Sequence, residues 1–158
     1  MPCSWSIKVN HIELTREQIL YILENDWATY VERIQHSSPA AQAEFLVRQG
    51  YNCLTDLLAH ILAWWEEGQR VIKNLCDTSD FALPDYDVDA FNAQAVERFH
   101  HWSERAILES FERARAGWVS FIENLPDSAF ENKKITHRLY LELLFHMQEH
   151  ALPLQESV

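Results

Sequence analysis

Two histidines four residues apart stand near the end of the chain, in His146-Met147-Gln148-Glu149-His150. On an α-helix, residues i and i+4 share a face, about 6 Å apart along the axis. Two imidazoles stacked that way can hold one metal ion from the same side. An earlier stretch, Asp56-Leu57-Leu58-Ala59-His60-Ile61-Leu62-Ala63-Trp64-Trp65, carries a third histidine inside an apolar pattern, where a free histidine is unusual. If the two helices pack so that His60 faces His146 and His150, three neutral nitrogen ligands meet. Three protein ligands with open positions are the usual arrangement of a catalytic metal. Three histidines on inward faces are costly unless something satisfies them, and a divalent ion would do so.

The residues around these histidines have plainer readings. The stretch 146–150 also reads H-x-x-E-H, a metalloprotease signature that needs a further ligand downstream. Only eight residues follow His150, and their one acid, Glu156, lies beyond Pro153. We therefore read the match as accidental and Glu149 as solvated. Asp56 lies four residues before His60 on the same helical face and could orient its imidazole. A solvated carboxylate favoured by the helix N-terminus explains it as well. Trp64 reads as core or pocket wall. His100 and His101 sit at a helix break, and His11, His36 and His137 have no partner that spacing supplies. Cys3, Cys53 and Cys76 are widely spaced and form neither a disulfide framework nor a metal knuckle.

Helices must position these groups, and the pattern supplies them. Thr15, with Gln18 at the capping-box position, opens a run whose stripe is Ile19, Ile22, Leu23, Trp27, Tyr30, Val31 and Ile34. Residues 40–51 read as a connector with at most a short helical turn, ending at Asn52, a candidate cap for the next helix. That helix should span about Cys53 to Leu75, with His60 one step off its stripe on the side of Asp56 and Trp64. An acidic loop follows through Leu83-Pro84-Asp85-Tyr86-Asp87. A third run starts near Val88. Ser103 caps the next helix, which ends at Leu125-Pro126-Asp127. Asn132-Lys133-Lys134 reads as a polar connector, and the last helix as about Ile135 to Leu152, closed by Pro153. Four long helices with one partly helical connector predict an all-α four-helix bundle, in which metal sites form from side chains projecting inward. One domain is expected over 1–158, with 1–13 a leader arm and 153–158 a tail.

Composition agrees. The 158 residues are 47% hydrophobic with three glycines and five prolines, which favours long helices in one core. The net charge of −11 argues against a nucleic-acid partner, which needs clustered Lys and Arg. No secretory signal and no apolar stretch near 18 residues are present, so a cytoplasmic protein without a membrane partner is expected.

Together these residues resemble the DinB/YfiT-like helical bundle superfamily. Leu57-Leu58-Ala59-His60-Ile61-Leu62-Ala63-Trp64 looks like the run that carries its first histidine, and His146-x3-His150 matches its second and third ligands. Asp89-Ala90-Phe91-Asn92, with the later Asn124-Leu125-Pro126-Asp127, is similar to the ClbS/DfsB-type branch. The resemblance covers roughly residues 14 to 154. It implies a four-helix bundle, often a homodimer, with zinc or nickel on His60, His146 and His150. It also implies a transferase or isomerase using a low-molecular-weight thiol, or a hydrolase that disarms a reactive small molecule. Members of the ClbS branch often lack the complete triad that this chain retains, which favours a metal-centred reading over self-protection chemistry. Trp64 would line the pocket and Asn92 would add a polar contact. The rival readings are a non-catalytic bundle that binds or sequesters a small molecule, and a structural dimer whose histidines carry no metal.

Overall fold

Thr15 opens the first helix with a reciprocal cap. Its hydroxyl accepts from the Gln18 N–H at 3.2 Å, and the Gln18 side chain accepts from the Thr15 N–H at 3.0 Å. The computed structural model describes residues 14–78 and 80–152, and over them every regular element is helical. The expected leader and tail lie outside the described residues. Helix α1 (Arg16–Tyr21) runs into a π-helical segment (Ile22–Asp26) and then α2 (Tyr30–Gln35). Next come α3 (Pro39–Gln49), α4 (Leu54–Asp77), α5 (Val88–Phe99) and α6 (Glu104–Asn124). The chain continues through α7 (Asp127–Glu131), α8 (Lys133–Leu139), a second π segment (Tyr140–Phe145) and α9 (His146–Glu149). None of these helices is long and apolar enough to cross a membrane.

Several expected boundaries need correction. Residues 39–49 form a full helix rather than a connector. Ser38 caps it, accepting from the Ala41 N–H at 3.2 Å, Pro39 takes the first helical position, and Gly50 ends it in the left-handed conformation at φ 81°. Its apolar signal is weak because only Phe45 and Leu46 are buried. Asn52 does not cap α4; Cys53 holds that position without a side-chain cap bond. The last helix begins at Lys133, because Asn132 Oδ1 accepts from the N–H groups of Lys134 and Ile135. It ends at Glu149, leaving His150 as its non-helical cap residue.

Helix α4 is the centre of the bundle. Every residue from Leu57 to Trp65 is buried, so here the helix is enclosed on all sides rather than along one stripe. His60 is therefore inside, not beside, the apolar face. Trp27, Trp65 and Phe111 pack as an aromatic cluster from three different segments: Trp27 meets Trp65 edge-on at 4.9 Å, and Trp65 stacks on Phe111 at 5.1 Å. Each large ring removes ~150–250 Å² from water, worth about 4–6 kcal/mol before entropy is subtracted.

Three buried aromatic donors then tie down the last helix. Trp65 Nε1 donates to the Glu142 carbonyl at 3.0 Å, and Trp27 Nε1 donates to the Leu143 carbonyl at 2.9 Å. The Tyr30 hydroxyl donates to the His150 carbonyl at 2.8 Å. The first two carbonyls lie in the π segment, whose wider turns leave backbone acceptors for outside donors. At the opposite end, Arg16 closes the C-terminus of α6 by donating to the carbonyls of Ile122, Glu123 (3.2 Å) and Leu125 (2.8 Å). The core thus fixes the height and rotation of the segment that carries His146 and His150.

Candidate metal centre

His60, His146 and His150 converge. They are 7%, 7% and 9% exposed, and one ring nitrogen from each lies within 4.8 Å of the others. Their ring centroids are 5.3 Å (His60–His146), 5.0 Å (His60–His150) and 5.7 Å (His146–His150) apart. This is the only cluster of three or more potential ligand side chains among the described residues.

Each imidazole is oriented from behind. His60 Nδ1–H donates to Asn92 Oδ1 at 2.9 Å. The Trp64 indole, a donor only, gives its N–H to the same oxygen at 2.8 Å. That second bond fixes which end of the Asn92 amide faces the ring, and so fixes His60 as the Nδ1–H tautomer. His150 Nδ1–H donates to Gln49 Oε1 at 2.6 Å. His146 Nδ1 faces the Glu142 carbonyl at 3.3 Å and the Glu142 carboxylate at 3.4 Å. His60 Nε2, which carries a lone pair in this tautomer, and His150 Nε2 approach each other at 3.1 Å.

Burial and the nearby His146 depress His60 to about 3. Burial, with His60 and His146 beside it, depresses His150 to about 2. Both are therefore neutral near pH 7, each with one ring nitrogen free to ligate a cation. Nitrogens about 2.0–2.1 Å from a zinc ion stand roughly 3 Å apart. Neutral imidazoles suit zinc, nickel, copper and iron, so the donor set fits a divalent cation.

Around the triad, the expected supporting residues fall in different places. Asn92 meets His60, and Trp64 meets Asn92, as described. Asp56 does not hold the His60 imidazole; Asn92, from α5, takes that position. Asp56 lies instead on a polar hollow with Gln49, Tyr51 and Asn92, where burial and the Asp56 charge raise the Tyr51 hydroxyl. Glu149 is exposed, as are His100 and His101. Cys53 and Cys76 are exposed free thiols; Cys3 and Glu156 lie outside the described residues.

Glu142, Arg138 and Gln49 are contributors that spacing did not single out. Glu142 is 2% exposed, and its carboxylate lies 2.7 Å from Arg138 Nη2 as well as behind His146. Gly68 makes room for it: a Cβ there would sit 2.5 Å from Glu142 Cγ. The signal was present in sequence, since Arg138, Glu142, His146 and His150 recur every four residues. Gln49 carries no such signal, because its partner is 101 residues away.

An open cavity of about 300 Å³ adjoins the triad. His146 and Glu142 border it on the inside, and Trp64, Leu83, Tyr86 and Phe145 are among its walls. A centre that holds a cation next to a largely apolar cavity can activate a small nucleophile and present it to an organic ligand. Comparison with protein-family models, curated proteins and solved structures found no match to this chain.

Proposed function

We propose that this protein is a metal-dependent enzyme acting on a reactive small molecule, with a divalent ion held by His60, His146 and His150. The observation that carries this reading is the convergence of three buried histidines, with His60 Nε2 and His150 Nε2 only 3.1 Å apart. Neutral imidazoles gathered this closely match the donor set of a bound divalent cation.

When bound, the ion supplies Lewis acidity, lowering the pKa of a water or thiol to yield a nucleophile at neutral pH. The chain's own groups do the positioning. Asn92, Gln49 and Glu142 hold the three Nδ1 atoms and aim the lone pairs inward. Trp64 locks Asn92 and walls the cavity, and Phe145 and Leu83 give the ligand's apolar part a dry surface. The Glu142 carboxylate sits behind His146, 3.4 Å from its Nδ1, and helps to orient the ring. With a thiol as co-substrate the reaction is transfer or isomerisation; with water it is hydrolysis.

We place the chain in the DinB/YfiT-like superfamily on the order of its motifs. Four long helical runs, residues 16–35, 54–77, 104–124 and 133–149, support a four-helix arrangement with α3 and α5 as additions. Homodimer formation and a cytoplasmic location belong to the same proposal.

Metal content tests the reading. Untagged protein should carry about one equivalent of zinc or nickel, and a His146→Ala/His150→Ala variant none. Parent protein that stays metal-free after incubation with both ions would leave a small-molecule-binding bundle, which the adjoining cavity favours.

A further inference from the structure

We propose that the cavity beside the histidines takes an uncharged, largely apolar small molecule, because the buried charges in its wall are spent on one another. The proposal rests on that cavity being the ligand site of the function above, and its test needs no metal.

Four side chains of the inner wall carry polar or charged groups, and each turns them into the protein. Arg138 and Glu142 are 8% and 2% exposed and form an ion pair, Nη2 to Oε1 at 2.7 Å. Arg138 Nε and Nη2 and Glu142 Oε2 are sealed within the wall. Arg138 Nη1 donates to the Tyr86 hydroxyl at 3.3 Å, and that hydroxyl donates to Glu67 at 2.6 Å. The guanidinium is held over the rings of Trp64 and Tyr86, 5.6 Å and 5.4 Å from their centroids. Trp64 Nε1 is taken by Asn92 Oδ1. Rings and methylenes are what these residues have left to offer a ligand.

The rest of the lining agrees. Pro84, Val88, Leu141 and Phe145 are apolar, and Leu83, also a lining residue, leaves 49% of its surface exposed for a ligand to cover. Lys134 and Asp85 are exposed, so water solvates these two opposite charges at the rim. An ion drawn in as far as His146 would lose its hydration and meet only groups that already have partners, a cost that an uncharged molecule does not bear. The volume of about 300 Å³ lies at the small end of ligand pockets and suits a compact ring system.

The test is equilibrium dialysis of chelator-treated protein against 2-acetylnaphthalene, 2-naphthoate and 2-naphthylmethylamine, which share one rigid apolar body. The ketone should bind at least about tenfold more tightly than either ion, the scale of stripping a charge of water without a partner. Leu83→Ser should weaken the ketone about three- to tenfold, since it removes apolar surface that the ligand covers. Val88→Glu puts an acid in the first turn of α5, where the helix dipole favours it. It should shift the ratio of amine to ketone affinity towards the amine about threefold. Binding of either ion as tightly as the ketone, or no binding by any of the three, would overturn the proposal. So would a ketone affinity indifferent to Leu83→Ser or a ratio indifferent to Val88→Glu, since either places the ligand elsewhere. Because the dialysis is metal-free, a protein that prefers the ketone but never binds zinc would sink the metal reading alone. Zinc binding beside a preference for an ion would sink this proposal alone.

Discussion

His60 and Trp64, one helical turn apart on α4, donate to the same oxygen, Asn92 Oδ1, at 2.9 Å and 2.8 Å. The indole N–H can only donate, so this shared acceptor sets the amide and through it the imidazole tautomer. Asn92→Leu should therefore lower zinc affinity about 10–100-fold, the usual cost of losing such a partner. Asn92→Asp keeps an acceptor for both donors and should stay within about tenfold of the parent, on the same scale. Competition with a chromogenic zinc chelator measures both. Equal affinity in the leucine variant would mean that Asn92 does not orient the ligand.

Zinc should stabilise the fold in proportion to its occupancy. At about 100 times Kd, a ligand specific for the folded state adds about 2.7 kcal/mol, or roughly 5–11 °C in melting temperature for a chain of this size. His60→Ala, His146→Ala and His150→Ala should each lose that increment. Scanning calorimetry with and without chelator reads it directly, and a melting temperature indifferent to zinc in the parent would count against the centre.

Acid should destabilise the metal-free protein through the same histidines. Burial and proximity hold His60 at about 3 and His150 at about 2 in the folded state, against about 6.5 for an unfolded chain. Below pH ~6.5 the unfolded state takes up protons that the folded state refuses, so stability falls as pH falls. The loss runs from about pH 6.5 down towards pH 3, at no more than about 2.7 kcal/mol per pH unit for two groups. Urea midpoints of chelated protein between about pH 7 and pH 5 should fall more steeply than those of His60→Leu/His150→Leu. Parallel slopes would show that other groups carry the effect.

Gly68→Ala should destabilise although alanine favours helix by about 1 kcal/mol. The new methyl would stand 2.5 Å from Glu142 Cγ, and overpacking of this kind costs about 1–3 kcal/mol. The displaced Glu142 would also leave its place behind His146, so the variant should lose zinc affinity as well as stability. If denaturation shows only the helix-propensity gain, Glu142 can move freely and the cradle has no role.

Trp65→Phe should cost about 0.5–1.5 kcal/mol beyond its loss of buried area, because it removes the indole donor to the Glu142 carbonyl. The same change should raise hydrogen-exchange rates in Tyr140–Phe145. Unaltered exchange there would mean that the indole does not hold the π segment.

Much of the framework was written locally. The Thr15–Gln18 capping box, the Ser103 cap and the stop at Leu125-Pro126 act within a few residues, and spacing alone located them. The triad was legible because His146 and His150 lie one turn apart and His60 interrupts an apolar run. The helix at 39–49 was missed because its large apolar residues, Phe45, Leu46 and Val47, are consecutive rather than set at helical spacing, and only two of them are buried.

What the sequence by itself determined was the helical content, most helix ends and the three histidines that meet. These follow from capping, periodicity and the cost of burying an imidazole, all short-range or compositional. What only the tertiary structure decided was how those histidines are held and what lies beside them. Asn92 and Gln49 reach their imidazoles across 32 and 101 residues of chain. Glu142 takes its place because Gly68, on another helix, lacks a side chain. Such contacts depend on the rotation and depth at which helices pack. That packing is set by the interlocking of many side chains around Trp27, Trp65 and Phe111, which no local pattern encodes.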